Sequence, residues 1–426
     1  MLIFFFPIVI SAFFQHFYTL VDAIIVGQNL GDIAFSAVGG SASKIIVLLV
    51  NFFVGVSCGI TAYTARYYGQ RDMKAVQQTI YNGSVLFLLM GAALSTLIFF
   101  LAPFLLSAMG TPAESVNFAN TYLRTAMCGL IFCVMFNTFS GILRAIGDTR
   151  TPLYILIFCS LVNIALDILF VVWFQWHVFG VAFATLLAQA VSAVMLGCVL
   201  YRKTSGDRAA VSLSTKIMGD ICKVGLPAGI QSIMYSLSNI LVQGAINEFG
   251  YLTVSAWAAY VKIDNIVDVF VSSLASTVIP FVGQNLGAKK FDRARQSVRQ
   301  IMRISYCVTA ALTMGIILLR FPLLGLFTDN AATVDISARI MLVIIPMYLI
   351  GIPYQIFSQA LRGLGKTFLP MIITLTGIVG LRVLWIAFVF RSYPTIYFLG
   401  LCYPVSSLIM SVIFSVYYTA VIKTYK

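Results

Sequence analysis

Residues Val85–Leu106 read VLFLLMGAALSTLIFFLAPFLL, 22 positions without one charged side chain. About twenty apolar residues are what an α-helix needs to cross the hydrocarbon core of a bilayer. The rest of the 426-residue chain repeats the pattern: 60% of its residues are hydrophobic and only 10% are charged. Soluble chains run at about 45–50% apolar and about 25% charged, so lipid is the solvent this composition requires. A spanning backbone must satisfy its polar groups internally, which leaves helices or closed barrels; long uninterrupted runs predict helices. Twelve such segments are expected, near 3–27, 34–65, 80–107, 116–145, 151–174, 178–201, 217–247, 252–284, 296–320, 334–363, 368–391 and 396–422.

The formal net charge of +13 raises the question of nucleic acid, but the basic residues are not massed on a soluble domain. Twenty of the 27 fall in alternate loops: Arg66, Arg71 and Lys74; Arg144 and Arg150; Arg202, Lys203, Arg208, Lys216 and Lys223; Lys289, Lys290, Arg293, Arg295, Arg299 and Arg303; Arg362 and Lys366; Lys423 and Lys426, while Arg320 and Arg391 are among the few on the opposite side. The opposite loops carry Asp32, Glu114, Glu248, Asp329 and Asp335. By the positive-inside rule both termini are expected in the cytoplasm, and the short loops fit a plasma membrane as the host bilayer. Eight cysteines without a CxxC pair and only two histidines argue against a zinc site or a disulfide framework. Gly-bearing loops occur near Gly147 and Gly283–Gly287, but neither follows a strand and no GxxxxGK[ST] is present, so no nucleotide site is expected. No cofactor, no catalytic constellation and no obligatory protein partner is predicted.

The chain also repeats itself. Leu143-Arg144-Ala145-Ile146-Gly147-Asp148-Thr149-Arg150-Thr151-Pro152 returns, 218 residues later, as Leu361-Arg362-Gly363-Leu364-Gly365-Lys366-Thr367-Phe368-Leu369-Pro370. Pro7 and Pro227 open the two halves, and Gly69 and Gly287 each close a second helix before a basic stretch. Six spans per unit, an even number, make this a parallel repeat about an axis along the membrane normal. The expected organisation is an N-terminal lobe at 1–201, a cytoplasmic linker at 202–216 and a C-terminal lobe at 217–426. Two such bundles can enclose a cavity whose access alternates, although duplicated bundles also occur in channels.

Several of these stretches are familiar. Pro7 through Gln15, Tyr18, Asp22 and Gly27, the Leu143–Asp148 motif, and Phe281-Val282-Gly283-Gln284-Asn285-Leu286-Gly287-Ala288 resemble the corresponding segments of MATE (multidrug and toxic-compound extrusion) transporters. The resemblance runs the length of the chain. It implies twelve transmembrane helices in two six-helix lobes and efflux of cationic or amphipathic compounds, driven by Na⁺ or H⁺.

Polar residues inside apolar segments are expensive and mark function by default. Asp22 lies near the middle of the first helix. Asn163 and Asp167 are four apart on the fifth, hence on one face, and Thr185 falls at a similar depth on the sixth. Two carboxylates, an amide oxygen and a hydroxyl suit a hard cation, and two close carboxylates can instead share a proton. These four positions match the N-lobe cation site of archaeal-type MATE proteins. Gln15, Tyr18 and Asn137 are candidate substrate-cavity residues or, equally, interhelical hydrogen-bonding groups. In the C-terminal half, Lys262, Asp264, Asp268 and Arg382 form either a second coupling site or a set of mutually neutralising ion pairs. Pro7, fifteen residues before Asp22, is the candidate hinge. A lipid-linked saccharide flippase of the same exporter superfamily is the alternative reading; it would line its cavity with basic residues, whereas the N-lobe candidates are acidic and amide-bearing.

Overall fold

The computed structural model describes residues 2–204, 211–328 and 330–425, the side chains of Leu2, Ala23 and Asp32 excepted. Residues 205–210 of the expected linker, Asp329 and Lys426 lie outside the described residues. Among the described residues the chain is helical with no strand. Eleven helical stretches are long and apolar enough to cross a membrane. They are α1 (Ile3–Gly31), α2 (Ile33–Gly69), α3 (Met73–Ala108), α4 (Val116–Ala145), α5 (Arg150–Trp173) and α6 (His177–Thr204) in the first half. In the second half they are α8 (Tyr251–Gly287), α9 (Phe291–Leu318), α10 (Ala331–Gly363), α11 (Phe368–Phe390) and α12 (Ile396–Lys423). Between them runs α7 (Thr215–Ile246), 32 residues long. Its Lys216, Asp220 and Lys223 and its run of Gly, Ser, Asn and Gln side chains make it less apolar than the others, and with it the long helical stretches among the described residues number twelve.

The 218-residue repeat is written into the backbone. Helix α4 ends with Gly147 in a left-handed conformation (φ 100°), where Gly147 N donates to Arg144 O at 3.1 Å and Asp148 N to Leu143 O at 2.8 Å. Helix α10 ends identically: Gly365 has φ 77°, its N donates to Arg362 O at 2.9 Å, and Lys366 N donates to Leu361 O at 2.9 Å. Both are Schellman caps, in which glycine takes the left-handed position. The second pair of repeat-related ends falls where the sequence placed it: α2 closes at Gly69 and α8 at Gly287. The left-handed residues there are Arg71 (φ 60°) and Lys289 (φ 57°), two positions further on, in the same hydrogen-bond pattern. A non-glycine residue in this conformation costs about 1–2 kcal/mol, a cost both halves carry.

The residues fall into two compact units, Leu2–Gly229 and Ile230–Lys426. The sequence repeat starts its second copy near 217, whereas packing assigns the opening half of α7 to the N-terminal unit. Glycines are the reason. A Cβ on Gly225 would lie 2.5 Å from Val56 O, one on Gly59 2.4 Å from Ile221 O, and one on Gly229 2.6 Å from Val56 Cγ2. Small residues four apart let helix backbones touch in a membrane, where lipid tails offer no hydrophobic drive for association. The preceding strand of chain is tied down too: Asn82 donates to Ser212 O at 3.0 Å and accepts from Ser214 N at 2.7 Å.

Within the N-terminal unit, Phe53, Ile60, Phe87, Leu106, Leu123, Met127, Ile142 and Leu196 form the main core. The C-terminal unit has two clusters, one around Trp257, Tyr260, Met341 and Leu399 and one around Val282, Ile352, Leu361 and Phe414. Large apolar side chains such as Phe100, Phe104, Leu161, Trp173 and Val416 are more than half exposed, as lipid-facing residues would be.

Candidate functional site

Helix α1 carries Gln15, Tyr18 and Asp22 along one stripe, since residues three and four apart share a helix face. Helix α5 carries Ser160, Asn163 and Asp167 in the same way. The structure brings the two stripes together. Asp22 is 9% exposed and Asp167 is fully buried, and the two carboxyl groups are electrostatic neighbours. Neither oxygen of Asp167, nor Asp22 Oδ1, has a protein donor. Asn163 is 2% exposed, and both its amide nitrogen and its amide oxygen lack partners. Native proteins leave few buried polar atoms unsatisfied, so such a concentration points to a bound ion, proton or water.

One helical turn along both helices, the same stripes reach a cavity. Gln15, Tyr18, Asn137, Asn163 and Thr185 line it, together with Cys133, Ser160, Gln189 and Ser192. Its volume is about 40 Å³. Asn137 donates to Cys133 O at 2.9 Å, and Thr185 donates to Val181 O at 3.1 Å. With its proton donated to the backbone, the Thr185 hydroxyl has only acceptor capacity to offer the cavity. Asn163 belongs to both levels: its side chain lines the cavity, and its helix delivers Asp167 one turn away. All seven N-terminal candidates therefore gather at one place, as an acid pair with a polar cavity beside it.

The donor set fits a small hard cation. Carboxylate, amide and hydroxyl oxygens on three helices supply the ligands Na⁺ takes, and the orphaned oxygens on Asp22 and Asp167 are what such an ion or a proton would satisfy. Among the described residues no cluster of three His, Cys, Asp or Glu side chains that could hold a metal ion occurs. Tyr122 on α4 faces both acids and Tyr18. Sequence reading missed it, along with Cys133, Ser160, Gln189 and Ser192, although Cys133 stands four residues from Asn137, Ser160 three from Asn163, and Gln189 and Ser192 four and seven from Thr185, a spacing that puts each on a helix face already marked. Directly after Asp167, α5 passes into a π-helical stretch, Ile168–Trp173, a backbone form frequent at functional sites.

The C-terminal candidates do not assemble as a charge network. Among the described residues no ion pair joins Lys262 or Arg382 to Asp264 or Asp268; the recorded pairs are Lys203–Asp148, Lys223–Asp220, Arg295–Asp292 and Arg339–Asp335. Lys262 and Asp268 are exposed. Asp264 turns towards Tyr260 and Tyr348, and Arg382 binds Ser238 and Asn239 instead. Mutual neutralisation is thus not what these residues do: Arg382 on α11 has neutral acceptors nearer than either acid on α8. Helix α1 stays helical through Pro7, with Ser11 Oγ donating to Pro7 O at 2.7 Å, and its one break in helical geometry is Gly31 (φ 78°).

Comparison with known proteins agrees along the whole chain. Residues 7–169 and 227–387 match the MatE family. A probable multidrug resistance protein, YoeA, of Bacillus subtilis is 26% identical across 99% of this chain and 94% of its own length. An FAD transporter of Shewanella oneidensis is 24% identical across 95% and 90%. In structure, a MOP superfamily transporter from Pyrococcus furiosus superposes with a TM-score of 0.91 at 22% identity, over 99% of this chain and 95% of that one. A MATE structure in a straight conformation gives 0.91 at 22% over 100% and 96%.

Proposed function

Since this chain belongs to the MatE family, whose members are membrane transporters rather than enzymes, we propose that it is a secondary antiporter expelling cationic or amphipathic small molecules in exchange for Na⁺ or H⁺. The observation that carries this reading is the buried Asp22–Asp167 pair with its orphaned oxygens. Two facing carboxylates repel unless a proton or cation lies between them. A site that must be occupied to be stable in one access state, and can discharge in the other, couples ion to solute, because only differential affinity shifts a conformational equilibrium. In this scheme Asp22, Asp167, Asn163 and Thr185 hold the ion, while Gln15, Tyr18 and Asn137, which line the adjoining cavity, receive solute. The multidrug resistance description of the Bacillus relative supports the small-molecule cargo. The alternating distribution of Lys and Arg supports a plasma-membrane orientation with both termini cytoplasmic.

One positive charge entering down 100 mV releases about 2.3 kcal/mol, enough for an approximately 50-fold solute gradient. A one-for-one exchange of monovalent cations moves no net charge and draws on the chemical gradient of the ion alone.

The test is ethidium accumulation in everted vesicles under an imposed Na⁺ or H⁺ gradient, for the wild type and Asp22→Asn. Accumulation under one gradient, lost in the variant at equal membrane expression, is the expected result and names the ion. Undiminished accumulation in Asp22→Asn would remove the first-helix carboxylate from the mechanism. No accumulation under either gradient from well-inserted protein would favour the lipid-saccharide flippase.

A further inference from the structure

The scheme above uses the acids of the N-terminal unit and leaves the most unusual charge of the C-terminal unit without a role. Arg382 sits in the four-residue α-helical stretch Leu381–Leu384, between two π-helical stretches, Leu375–Gly380 and Trp385–Phe390. A π-turn interrupts the regular backbone ladder and recurs at functional sites; here one stands on each side of a single arginine. The side chain is 6% exposed. Its guanidinium carbon lies 4.2 Å from the centroid of the Tyr403 ring. Both of its hydrogen bonds fall on Nη1, to Ser238 Oγ at 3.0 Å and Asn239 Oδ1 at 2.9 Å. Nε is buried with no acceptor.

A guanidinium keeps its charge in a protein, and an ionised group within a membrane span is costly unless it is paired. Every contact of Arg382 is neutral. Hydroxyl and amide acceptors and the face of one tyrosine compensate the charge only in part. The engaged nitrogen is Nη1, so Nε and Nη2, on the other side of the fork, are the donors without a hydrogen bond. Two parallel N–H groups on that side are the geometry that binds a carboxylate or phosphate through two oxygens. The nearest internal rival is Asp264, which shares Tyr403 as a neighbour but turns to Tyr260 and Tyr348 and makes no ion pair with Arg382. Arg362, the other buried arginine of this unit, is already held by Gln231 Oε1 at 2.8 Å and Gln359 Oε1 at 3.4 Å.

We propose that Arg382 is an anion-binding residue, whose Nε–Nη2 edge takes a carboxylate or phosphate carried by the solute that the transporter moves. This rests on the solute-exporter reading and narrows it: the favoured cargo is amphoteric, an organic cation that also bears an oxyanion, rather than a simple cation.

Rhodamine B and its ethyl ester differ by one carboxylate and share the same cationic ring system, so the pair isolates the anion. Equilibrium binding of each to the purified full chain in neutral detergent is read by fluorescence anisotropy. The wild type is expected to bind rhodamine B about tenfold or more tighter than the ester, the size of a charged hydrogen bond gained. Arg382→Gln brings the two affinities together, and a circular dichroism spectrum and melting temperature matching the wild type show that the variant is folded. Arg382→Lys, with the charge but not the fork, keeps a fraction of the preference, and Asp264→Asn keeps all of it. Equal affinities in the wild type, or a preference that survives Arg382→Gln, overturns the proposal. So does a preference that emerges only in Asp264→Asn, which would make Asp264 the true partner. Dihexanoyl-phosphatidylglycerol binding through Arg382 while the dyes show no preference would assign the site to a lipid headgroup instead of a solute. Because this is a binding measurement, it stands or falls separately from gradient-driven efflux.

Discussion

The two halves of this chain share a backbone and oppose each other in charge. At an offset of 218 or within one residue of it, both have the left-handed glycine after a fourth helix (Gly147, Gly365), a left-handed basic residue after a second (Arg71, Lys289), a broken helix start (Gly31, Gly250) and a π-helical stretch (Ile168–Trp173, Trp385–Phe390). Yet the N-terminal unit buries two acids, Asp22 and Asp167, and the C-terminal unit buries two arginines, Arg362 and Arg382. Arg144 and Arg362 are repeat equivalents. Arg144 donates locally to Ser140 O at 3.2 Å, whereas Arg362 reaches across to Gln231, itself 1% exposed and further bound to Thr374 at 2.7 Å. The position equivalent to Gln231 in the first half is Phe13, which is 54% exposed. Duplication preserved the capping and bending geometry, which backbone sterics dictate. The polar interior of each bundle diverged, since a side chain can change without moving a helix.

That contrast can be broken at four places. The largest effect is expected from Gly225→Val, which drives a side chain into Val56 O at 2.5 Å. Overpacking at a close backbone approach should destabilise the N-terminal unit by about 3 kcal/mol, read as a fall in thermal stability in detergent; an unchanged melting curve would show that the two helices can part freely. Next, Asp167→Asn should cut gradient-driven uptake about 100-fold, equivalent to about 2.7 kcal/mol, with membrane expression retained. If uptake persisted, the acid pair would not be the coupling site.

Third, Gln231→Ala should cost about 2 kcal/mol by depriving a buried arginine of a charged hydrogen bond. Phe13→Ala at the equivalent position should cost under about 0.5 kcal/mol. Equal losses would mean that the polar cluster is not peculiar to the second half. The smallest effect lies at Asp148, in the loop after α4. Partial burial acts to raise its pKa, but the Lys203 ammonium and the hydroxyl and amide of Thr151 prevail and hold the carboxyl below its usual value. A depressed acid contributes stability above its unfolded pKa of about 3.9, and that contribution disappears as pH falls through the folded value. Asp148→Asn should therefore cost about 1 kcal/mol at neutral pH and make no difference well below pH 4, checked by melting curves across that range.

The sequence by itself determined the membrane fold, the helix count and the six-helix repeat, because bilayer thickness and backbone hydrogen bonding leave an apolar chain few options. It also marked both stripes of the N-terminal site, since Gln15, Tyr18 and Asp22, and Asn163 and Asp167, stand at helical spacing among apolar neighbours. The resemblance grouped Asp22 with Asn163, Asp167 and Thr185, but helical spacing alone left open which stripes meet, and the tertiary structure decided it. It placed Tyr122 beside the acids and gave Arg362, read from the sequence as a loop cation, a buried amide partner. It also kept Arg382 away from Asp264 and Asp268 and pulled the start of α7 onto α2 through Gly225 and Gly229. The physical reason is range. Periodicity and hydropathy act within a helix, over one or two turns. Whether a charge finds an acid, an amide or nothing depends on side chains more than a hundred positions away, as Arg382 is from Asn239 and Arg362 from Gln231.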